Sequence, residues 1–139
     1  MEINRQGAAD AREPRAELDQ WARAVITAAI EVHRALGPGF LESVYEDAMI
    51  IELATLNLAT ERQVVFPIAY RNRVISEARL DLLIEGELVV ERKAVSALVP
   101  LHTAQMISYL KAGAFQLGLL INFNVTFLRQ GIRRVIWNR

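Results

Sequence analysis

The chain has 139 residues and a mass of 15.7 kDa, and 53% of its residues are hydrophobic, which suits one domain with a real core and leaves no room for a second. The formal net charge is zero, from 16 basic and 16 acidic residues, so a phosphate-binding surface would have to be a local patch. Cysteine is absent, which excludes disulfides, thiolate zinc sites and cysteine nucleophiles, so a metal would need oxygen or histidine ligands.

The N-terminal residues carry neither a signal pattern nor apolar periodicity. Residues 1–17 mix charges with Gly, Ala and Pro, and we expect a flexible lead-in there, followed by a single domain over residues 18–139. No apolar run approaches the roughly 18 residues of a membrane helix. We therefore expect a cytoplasmic protein with no membrane partner.

Two helices are predicted first. From Leu18 to Leu36 apolar residues recur at three- and four-residue steps, as on an amphipathic helix, and Gly37-Pro38-Gly39 ends the pattern. The stripe consists of Trp21, Val25, Ile26, Ala29, Ile30 and His33. A second helix is predicted from about Leu41 to Asn57. Its expected buried residues are Val44, Ala48, Ile51 and either Leu53 or Leu56.

The rest of the chain alternates between extended and helical patterns. Strands are predicted at Gln63–Tyr70, Val74–Ile84, Leu88–Ala94, Phe115–Phe123 and Ile132–Trp137, with a helix at about Leu101–Ala112. Pro67 indicates that the first strand lies at an edge or carries a bulge. The order α-α-β-β-β-α-β-β predicts an α/β fold, with a small mixed sheet flanked by helices.

Two acids are predicted to face each other across the second and third strands. If the turn is centred on Gly86, Asp81 pairs with Glu91, and Lys93 lies beside them. Side-chain alternation along the second strand would put Leu80, Leu82 and Ile84 on one face, and Arg79, Asp81 and Leu83 on the other.

Facing carboxylates repel one another unless a cation or a proton lies between them. Mg²⁺ is the expected cation because it takes hard oxygen ligands and uses one or two carboxylates together with substrate phosphates. Mn²⁺ could replace it. Lys93 could then orient or deprotonate the attacking water, giving hydrolysis of a phosphodiester. The alternative is that Asp81, Glu91 and Lys93 are ordinary polar positions, with Lys93 neutralising one acid.

Polar residues on the helices could complete such a site. His102, Gln105 and Tyr109 share one face of the later helix and could hold a phosphate or the attacking water, although a surface stripe with Tyr109 half-buried explains the spacing equally. Glu42 could reach the same metal, with Tyr45 near the substrate. Alternatively, Glu42 is only a favourable charge at a helix N-terminus.

Three further features can be explained by structure alone. His33 is expected to be a hydrogen-bonded core or boundary residue. Gly37-Pro38-Gly39 could offer backbone N–H groups to phosphate at the start of the second helix. The alternative is that it is an ordinary break between two helices. The arginines of the tail could follow a nucleic-acid backbone or simply be solvated; they are Arg129, Arg133, Arg134 and Arg139.

A family resemblance favours the catalytic interpretation. Gly39, Glu42 and Tyr45, spaced Gly-x-x-Glu-x-x-Tyr, precede the hairpin with Asp81 and Glu91-x-Lys93, and together they resemble the GxxExxY family of the PD-(D/E)xK nuclease superfamily. The resemblance runs from about Ala22 to Ile136. Further matching segments are Glu31-Val32-His33, Leu36-Gly37-Pro38-Gly39, Arg79-Leu80-Asp81-Leu82-Leu83 and Leu119-Leu120-Ile121-Asn122-Phe123.

The resemblance implies a restriction-endonuclease-like core in which Asp81 and Glu91 bind Mg²⁺ and Lys93 assists catalysis. It further implies that Glu42 completes the metal site and that Gln105 and Tyr109 form a Gln-x-x-x-Tyr element. Arg92 departs from the apolar residue expected on a buried strand, so its charge must reach an edge or a partner.

The leading hypothesis is a Mg²⁺-dependent nuclease acting on DNA or RNA. The alternative is a catalytically silent module that binds nucleic acid or protein and keeps the nuclease fold, which the zero net charge and the lack of a DNA-reading domain would suit. A homo-oligomer that uses apolar surface around Trp137 and Phe127 is compatible with either.

Overall fold

The computed structural model describes residues 13–138, which form a five-stranded sheet with helices on both faces. The helices are α1 (Ala16–Leu36), α2 (Glu42–Ala54) and α3 (Pro100–Gly113); the strands are β1 (Thr60–Tyr70), β2 (Arg73–Ile84), β3 (Leu88–Lys93), β4 (Leu117–Asn122) and β5 (Ile132–Ile136). A short 3₁₀ turn, Leu128–Gly131, precedes β5. The predicted α/β class and the order of the eight main elements are confirmed.

The strand order is β1-β2-β3-β4-β5, and only β3 and β4 run parallel. Helix α3 makes the crossover between these two central strands, as parallel pairing requires. β1 is an edge strand, and its register shifts between Ile68 and Ala69, next to Pro67. Both features confirm the prediction made from that proline.

The core has one part on each face of the sheet. On one side α1 and α2 cover a cluster that contains Leu82, Val90 and Leu119. On the other side α3 covers a smaller cluster that contains Leu83, Val89 and Leu120. Because both faces of β3 and β4 are covered, all six residues of β4 are buried, as its apolar sequence predicted.

The turn between β2 and β3 has the predicted centre. Glu85 and Gly86 both have positive φ, of 53° and 71°, which is typical of a tight hairpin turn. Leu82 pairs with Val90 and Ile84 with Leu88, so the predicted register is confirmed over these pairs. This register brings Asp81 level with Glu91.

The predicted alternation along β2 fails at Asp81. Leu80 belongs to the cluster under α3, whereas Leu82 and Ile84 belong to the cluster under α1 and α2, so placing all three on one face was wrong. The neighbouring strand changes faces at the same level, where Gln63 has a φ of 55°. The irregularity in both strands therefore lies at the position of Asp81 along the sheet.

The predicted buried face of α2 is wrong at Val44 and Ile51, whereas Leu53 is buried and Ala48 packs against the core, as predicted. Val44 is 36% exposed and Ile51 is 70% exposed, while the helix buries a different stripe made of Tyr45, Glu46, Met49 and Leu53. Both faces of α2 are apolar, so periodicity alone could not choose between them. The buried polar groups of Tyr45 and Glu46 have partners inside the protein, which permits their burial.

Helix α1 begins at Ala16, two residues before the predicted start, and ends at Leu36; the N–H of the following Gly37 donates to the His33 carbonyl at 2.8 Å. The predicted flexible lead-in lies, for residues 1–12, outside the described residues. In the part of the chain described, no helix is both long enough and apolar enough to span a bilayer.

Candidate active site

Asp81 and Glu91 lie beside each other where β2 and β3 separate. The Asp81 N–H donates to Glu91 Oε1 at 3.1 Å, and the Arg92 N–H donates to Asp81 Oδ2 at 2.9 Å. The regular pairing of the two strands ends one residue earlier, at Leu82 and Val90. The two acids thus take up backbone donors that the sheet itself would otherwise use.

Burial gives both carboxyl groups raised pKa values. Each residue is 8% exposed. Burial is the main cause for Glu91, followed by the charge of Asp81, and its pKa is raised to about 8. The pKa of Asp81 is also raised by burial, although the Arg92 guanidinium opposes the rise. A cation placed against the two acids would relieve this electrostatic cost.

Arg92 brings a positive charge into the same region. Its guanidinium lies 2.7 Å from Glu42 Oε1, 3.2 Å from Glu46 Oε1 and 3.3 Å from Asp81 Oδ2. The sequence predicted that this charge must reach an edge or a partner, and it reaches three carboxylates.

Glu46 is a part of the site that sequence reasoning missed. It is 4% exposed and accepts hydrogen bonds from Arg62, at 2.8 Å, and from Gln63, also at 2.8 Å. Glu42 and Glu46 are four residues apart, so they lie on the same side of α2 and can share Arg92. That spacing is visible in the sequence, but it points to Arg92 only once α2 is known to pack over β3.

Lys93 ends β3 on the side of the sheet that faces α3. Val89 packs against α3, and alternation along the strand puts Glu91 and Lys93 on that same face. Lys93 is half-buried and pairs with Asn122 at the end of the parallel strand β4. Asn122 is 1% exposed and bonds both the N–H and the carbonyl of Val95, which fixes the chain just after Lys93.

The polar face of α3 lies on this same side. Gln105 is exposed, and its Nε2 donates to the Tyr109 hydroxyl at 3.3 Å. The Tyr109 ring is half-buried against Phe66, which agrees with the alternative that this face is a polar surface stripe with Tyr109 half-buried. His102 Nδ1 accepts the Val99 N–H at 3.1 Å, so in the neutral ring the proton is on Nε2.

Tyr45 has a structural position. It is fully buried, stacks on Phe123 with ring centroids 4.5 Å apart, donates its hydroxyl to the Gly37 carbonyl at 2.6 Å and accepts the Phe40 N–H at 3.2 Å. Its contacts hold the loop that leads into α2 and Glu42. Tyr45 can therefore influence a substrate only by positioning that loop.

The remaining candidate residues are His33 and the arginines near the C-terminus. His33 is 9% exposed and its Nε2 lies 2.7 Å from the Val125 carbonyl, so it is the hydrogen-bonded boundary residue that was expected. Arg129 and Arg133 are exposed, and Arg134 pairs with Asp19 at 2.7 Å. The prediction for Arg139 falls outside the described residues.

Phe127 and Trp137 were the predicted oligomer surface. Phe127 is 66% exposed, whereas Trp137 is half-buried against the cluster under α3. An oligomer built on them stays a prediction.

The donor set fits a divalent cation at Asp81 and Glu91. Two adjacent buried carboxylates supply hard oxygen ligands, and Mg²⁺ sites commonly use one or two of them. Over residues 13–138 no group of three or more His, Cys, Asp or Glu side chains could hold a metal together. Glu42 is joined to Asp81 through Arg92, so the fit rests on the two strand carboxylates.

One comparison with known proteins decides the family. Residues 19–135 match the family model of the PD-(D/E)XK nuclease superfamily, which spans well over half of the chain. The chain belongs to this superfamily. Searches of curated proteins and of solved structures give no match.

Membership explains why the sheet and the acids occur together. The mixed five-stranded sheet between helices is the restriction-endonuclease-like core of PD-(D/E)XK nucleases, so this chain has a nuclease-like fold, and the family match supports a nuclease-like function. The Asp81 and Glu91-Arg92-Lys93 hairpin has the spacing for which the superfamily is named. Nucleases of this superfamily generally use divalent metals and act on nucleic acids.

Proposed function

We propose that this protein is a Mg²⁺-dependent nuclease that hydrolyses phosphodiester bonds of DNA or RNA, with Mn²⁺ able to replace Mg²⁺. The observation that supports this most is the pair of buried, adjacent carboxylates of Asp81 and Glu91, with Lys93 two residues further along the same strand. Without a cation, burial and mutual repulsion of the two carboxylates destabilise the fold. This cost supports a functional role for the pair as a cation-binding site.

In this proposal Asp81 and Glu91 hold one divalent ion. The ion, when bound, supplies Lewis-acid stabilisation of the charge that develops on the phosphate. Lys93 orients the attacking water, and its ammonium stabilises the same charge from the side facing α3. The water oxygen forms a new bond to phosphorus and loses a proton to solvent, one phosphorus–oxygen ester bond breaks, and the leaving oxygen takes up a proton from solvent.

The polar face of α3 forms the substrate side of the proposed site. Gln105 holds the Tyr109 hydroxyl, and both can donate to a phosphate oxygen beside Lys93. His102 presents Nε2–H to a neighbouring phosphate, since its Nδ1 is occupied by the start of α3. Tyr45 contributes by positioning the Gly37–Phe40 loop.

Within the superfamily we assign the chain to the GxxExxY family. Its three motif positions have distinct local roles: Gly39 has a φ of 109°, Glu42 begins α2, and Tyr45 bonds the loop between them. We also place the protein in the cytoplasm, since a chain without cysteine suits a reducing compartment. Cell fractionation checks that location.

The test is cleavage of mixed DNA and RNA substrates with Mg²⁺. We expect Asp81→Asn, Glu91→Gln and Lys93→Met each to lower the rate by roughly 10²- to 10⁴-fold. Matched controls are the exposed Asp47→Asn and Lys111→Met, which should cleave like the wild type. Equal activity of Asp81→Asn and the wild type would reject the assignment.

The second candidate is a catalytically silent module that keeps the fold and binds nucleic acid or protein. The ion pair between Arg92 and Asp81 favours it, because a guanidinium already compensates part of the acid charge. Turnover that Lys93→Met abolishes would rule this candidate out. Binding of nucleic acid without any cleavage, with Mg²⁺ or Mn²⁺ present, would support it.

A further inference from the structure

Arg92 contacts more carboxylates of the site than either proposed metal ligand does. Its guanidinium is within 3.3 Å of Glu42, Glu46 and Asp81, and its side chain is only 19% exposed. Arginine stays protonated at all accessible pH values and has several donors in one plane, so it can serve as a permanent cation for several acids.

The contacts of Arg92 are spread over three elements. Glu42 and Glu46 come from α2, Asp81 from β2, and Arg92 itself from β3. A divalent ion ligated by Glu42 and Asp81 would need Glu42 Oε1 and Asp81 Oδ2, which are the two oxygens that Nη1 of Arg92 contacts. The guanidinium therefore occupies the position that a second ion, ligated by Glu42, would need.

We propose that Arg92 is a built-in cation that takes the place of a second metal, so that the site holds a single divalent ion at Asp81 and Glu91. Glu42 is then an ion-pair partner of Arg92 and not a metal ligand. This inference rests on the proposed function, because it specifies how many ions the proposed nuclease uses. It makes Arg92 a positioning residue.

The geometry at Asp81 suits this division. Both contacts from Arg92 fall on Oδ2, at 2.9 Å from the backbone N–H and 3.3 Å from Nη1, so Oδ1 is the oxygen available to a divalent ion. One aspartate can thus serve the guanidinium and the ion together. Glu91 accepts the Asp81 N–H through Oε1, which keeps the second carboxylate alongside.

The test is the stoichiometry of Mn²⁺ binding, measured by titration calorimetry and by electron paramagnetic resonance. We expect one ion per wild-type chain. Arg92→Met, which removes the charge but keeps a long side chain, should bind a second ion with Mn–Mn coupling. Arg92→Lys should restore one ion, because a positive charge returns.

Two further variants make the result specific. Arg62→Met removes another arginine from Glu46 without touching Asp81, so it should keep one ion. Glu42→Gln, at a partly exposed position, should keep the wild-type stoichiometry with a Kd within about twofold. It also keeps the inference testable if Arg92→Met does not fold.

Several results would overturn the inference. The inference fails if the wild type binds two ions. It also fails if Arg92→Met binds one ion at wild-type affinity, or if Glu42→Gln loses an ion. If such a variant still cleaves nucleic acid, only the role of Arg92 fails. A wild type that neither binds Mn²⁺ nor cleaves would remove the proposed function as well.

Discussion

Asp81 and Glu91 each accept a hydrogen bond from the other strand: the Arg92 N–H bonds the aspartate at 2.9 Å, and the Asp81 N–H bonds the glutamate at 3.1 Å. This exchange replaces the regular pairing of β2 and β3 and fixes both carboxyl groups at the point of divergence. The two acids are thereby positioned before any ion or substrate arrives, so little ordering cost remains for binding.

The raised pKa of Glu91 predicts that stability falls as pH rises in the absence of divalent ions. Between the ordinary pKa of 4.5 and the folded value of about 8, the folded state keeps a proton that the unfolded state has lost. The free energy of unfolding should therefore drop by roughly 4 kcal/mol from pH 5 to pH 9. Urea unfolding across that range measures the drop.

Glu91→Gln tests whether Glu91 causes this pH dependence of stability, because an amide side chain does not ionise. Its stability profile should be much flatter than that of the wild type over the same range. Glu77→Gln, at an exposed position, is the control and should follow the wild type. A profile that stays steep in Glu91→Gln would mean that another group controls it.

Divalent ions should stabilise the protein more at high pH than at low pH. Protons compete with the ion for the two acids, so Mg²⁺ or Mn²⁺ should raise the Tm at pH 8.5 and leave it nearly unchanged at pH 5.5. Thermal unfolding with increasing Mn²⁺ gives the shift. Asp81→Asn should show little shift at either pH, and a full shift in that variant would place the ion elsewhere.

Removing the Tyr45 hydroxyl should weaken the loop before α2. Tyr45→Phe leaves the Gly37 carbonyl and the Phe40 N–H without their present partner, which should cost about 1 to 3 kcal/mol. Chemical unfolding measures the cost. Tyr70→Phe, at a 61% exposed position, should stay within about 0.5 kcal/mol of the wild type, and an equal cost in both would remove the argument.

Gly131 should tolerate no side chain, because a Cβ there would overlap the backbone carbonyl of Asn122. We expect Gly131→Ala to destabilise by about 2 to 4 kcal/mol. At Gly118 the obstruction is the flexible side chain of Met106, so Gly118→Ala should cost less. Urea unfolding of the two variants compares them, and the reverse order would contradict this account of the packing.

The hairpin of the site was predictable from the sequence because local chemistry sets it. Gly86 fixes the turn, and the turn fixes which residues of β2 and β3 lie opposite each other. Pro67 likewise identified an edge strand with a shifted register. These features depend on short-range backbone constraints, which a single sequence contains.

The faces of α2 and of β2 could not be predicted in the same way. Both sides of α2 are apolar, and its buried side is decided by the partners of Tyr45 and Glu46 from distant parts of the chain. Leu80 changes faces because the sheet is irregular at Asp81 and Gln63. Long-range contacts of this kind leave no periodic signal.

The role of Arg92 falls between these cases. Its position on a buried strand showed that the charge needed a partner, but the sequence did not identify Glu42 and Glu46 as that partner. Their spacing on α2 becomes informative only once α2 is known to pack over β3.

The most direct measurement is a crystal soaked in Mn²⁺ at pH 8.5, examined for anomalous scattering. We expect a single strong peak within coordination distance of Asp81 and Glu91, with Arg92 still against Glu42. No peak at the two acids under conditions that support cleavage, or a peak held elsewhere in the molecule, would contradict this expectation.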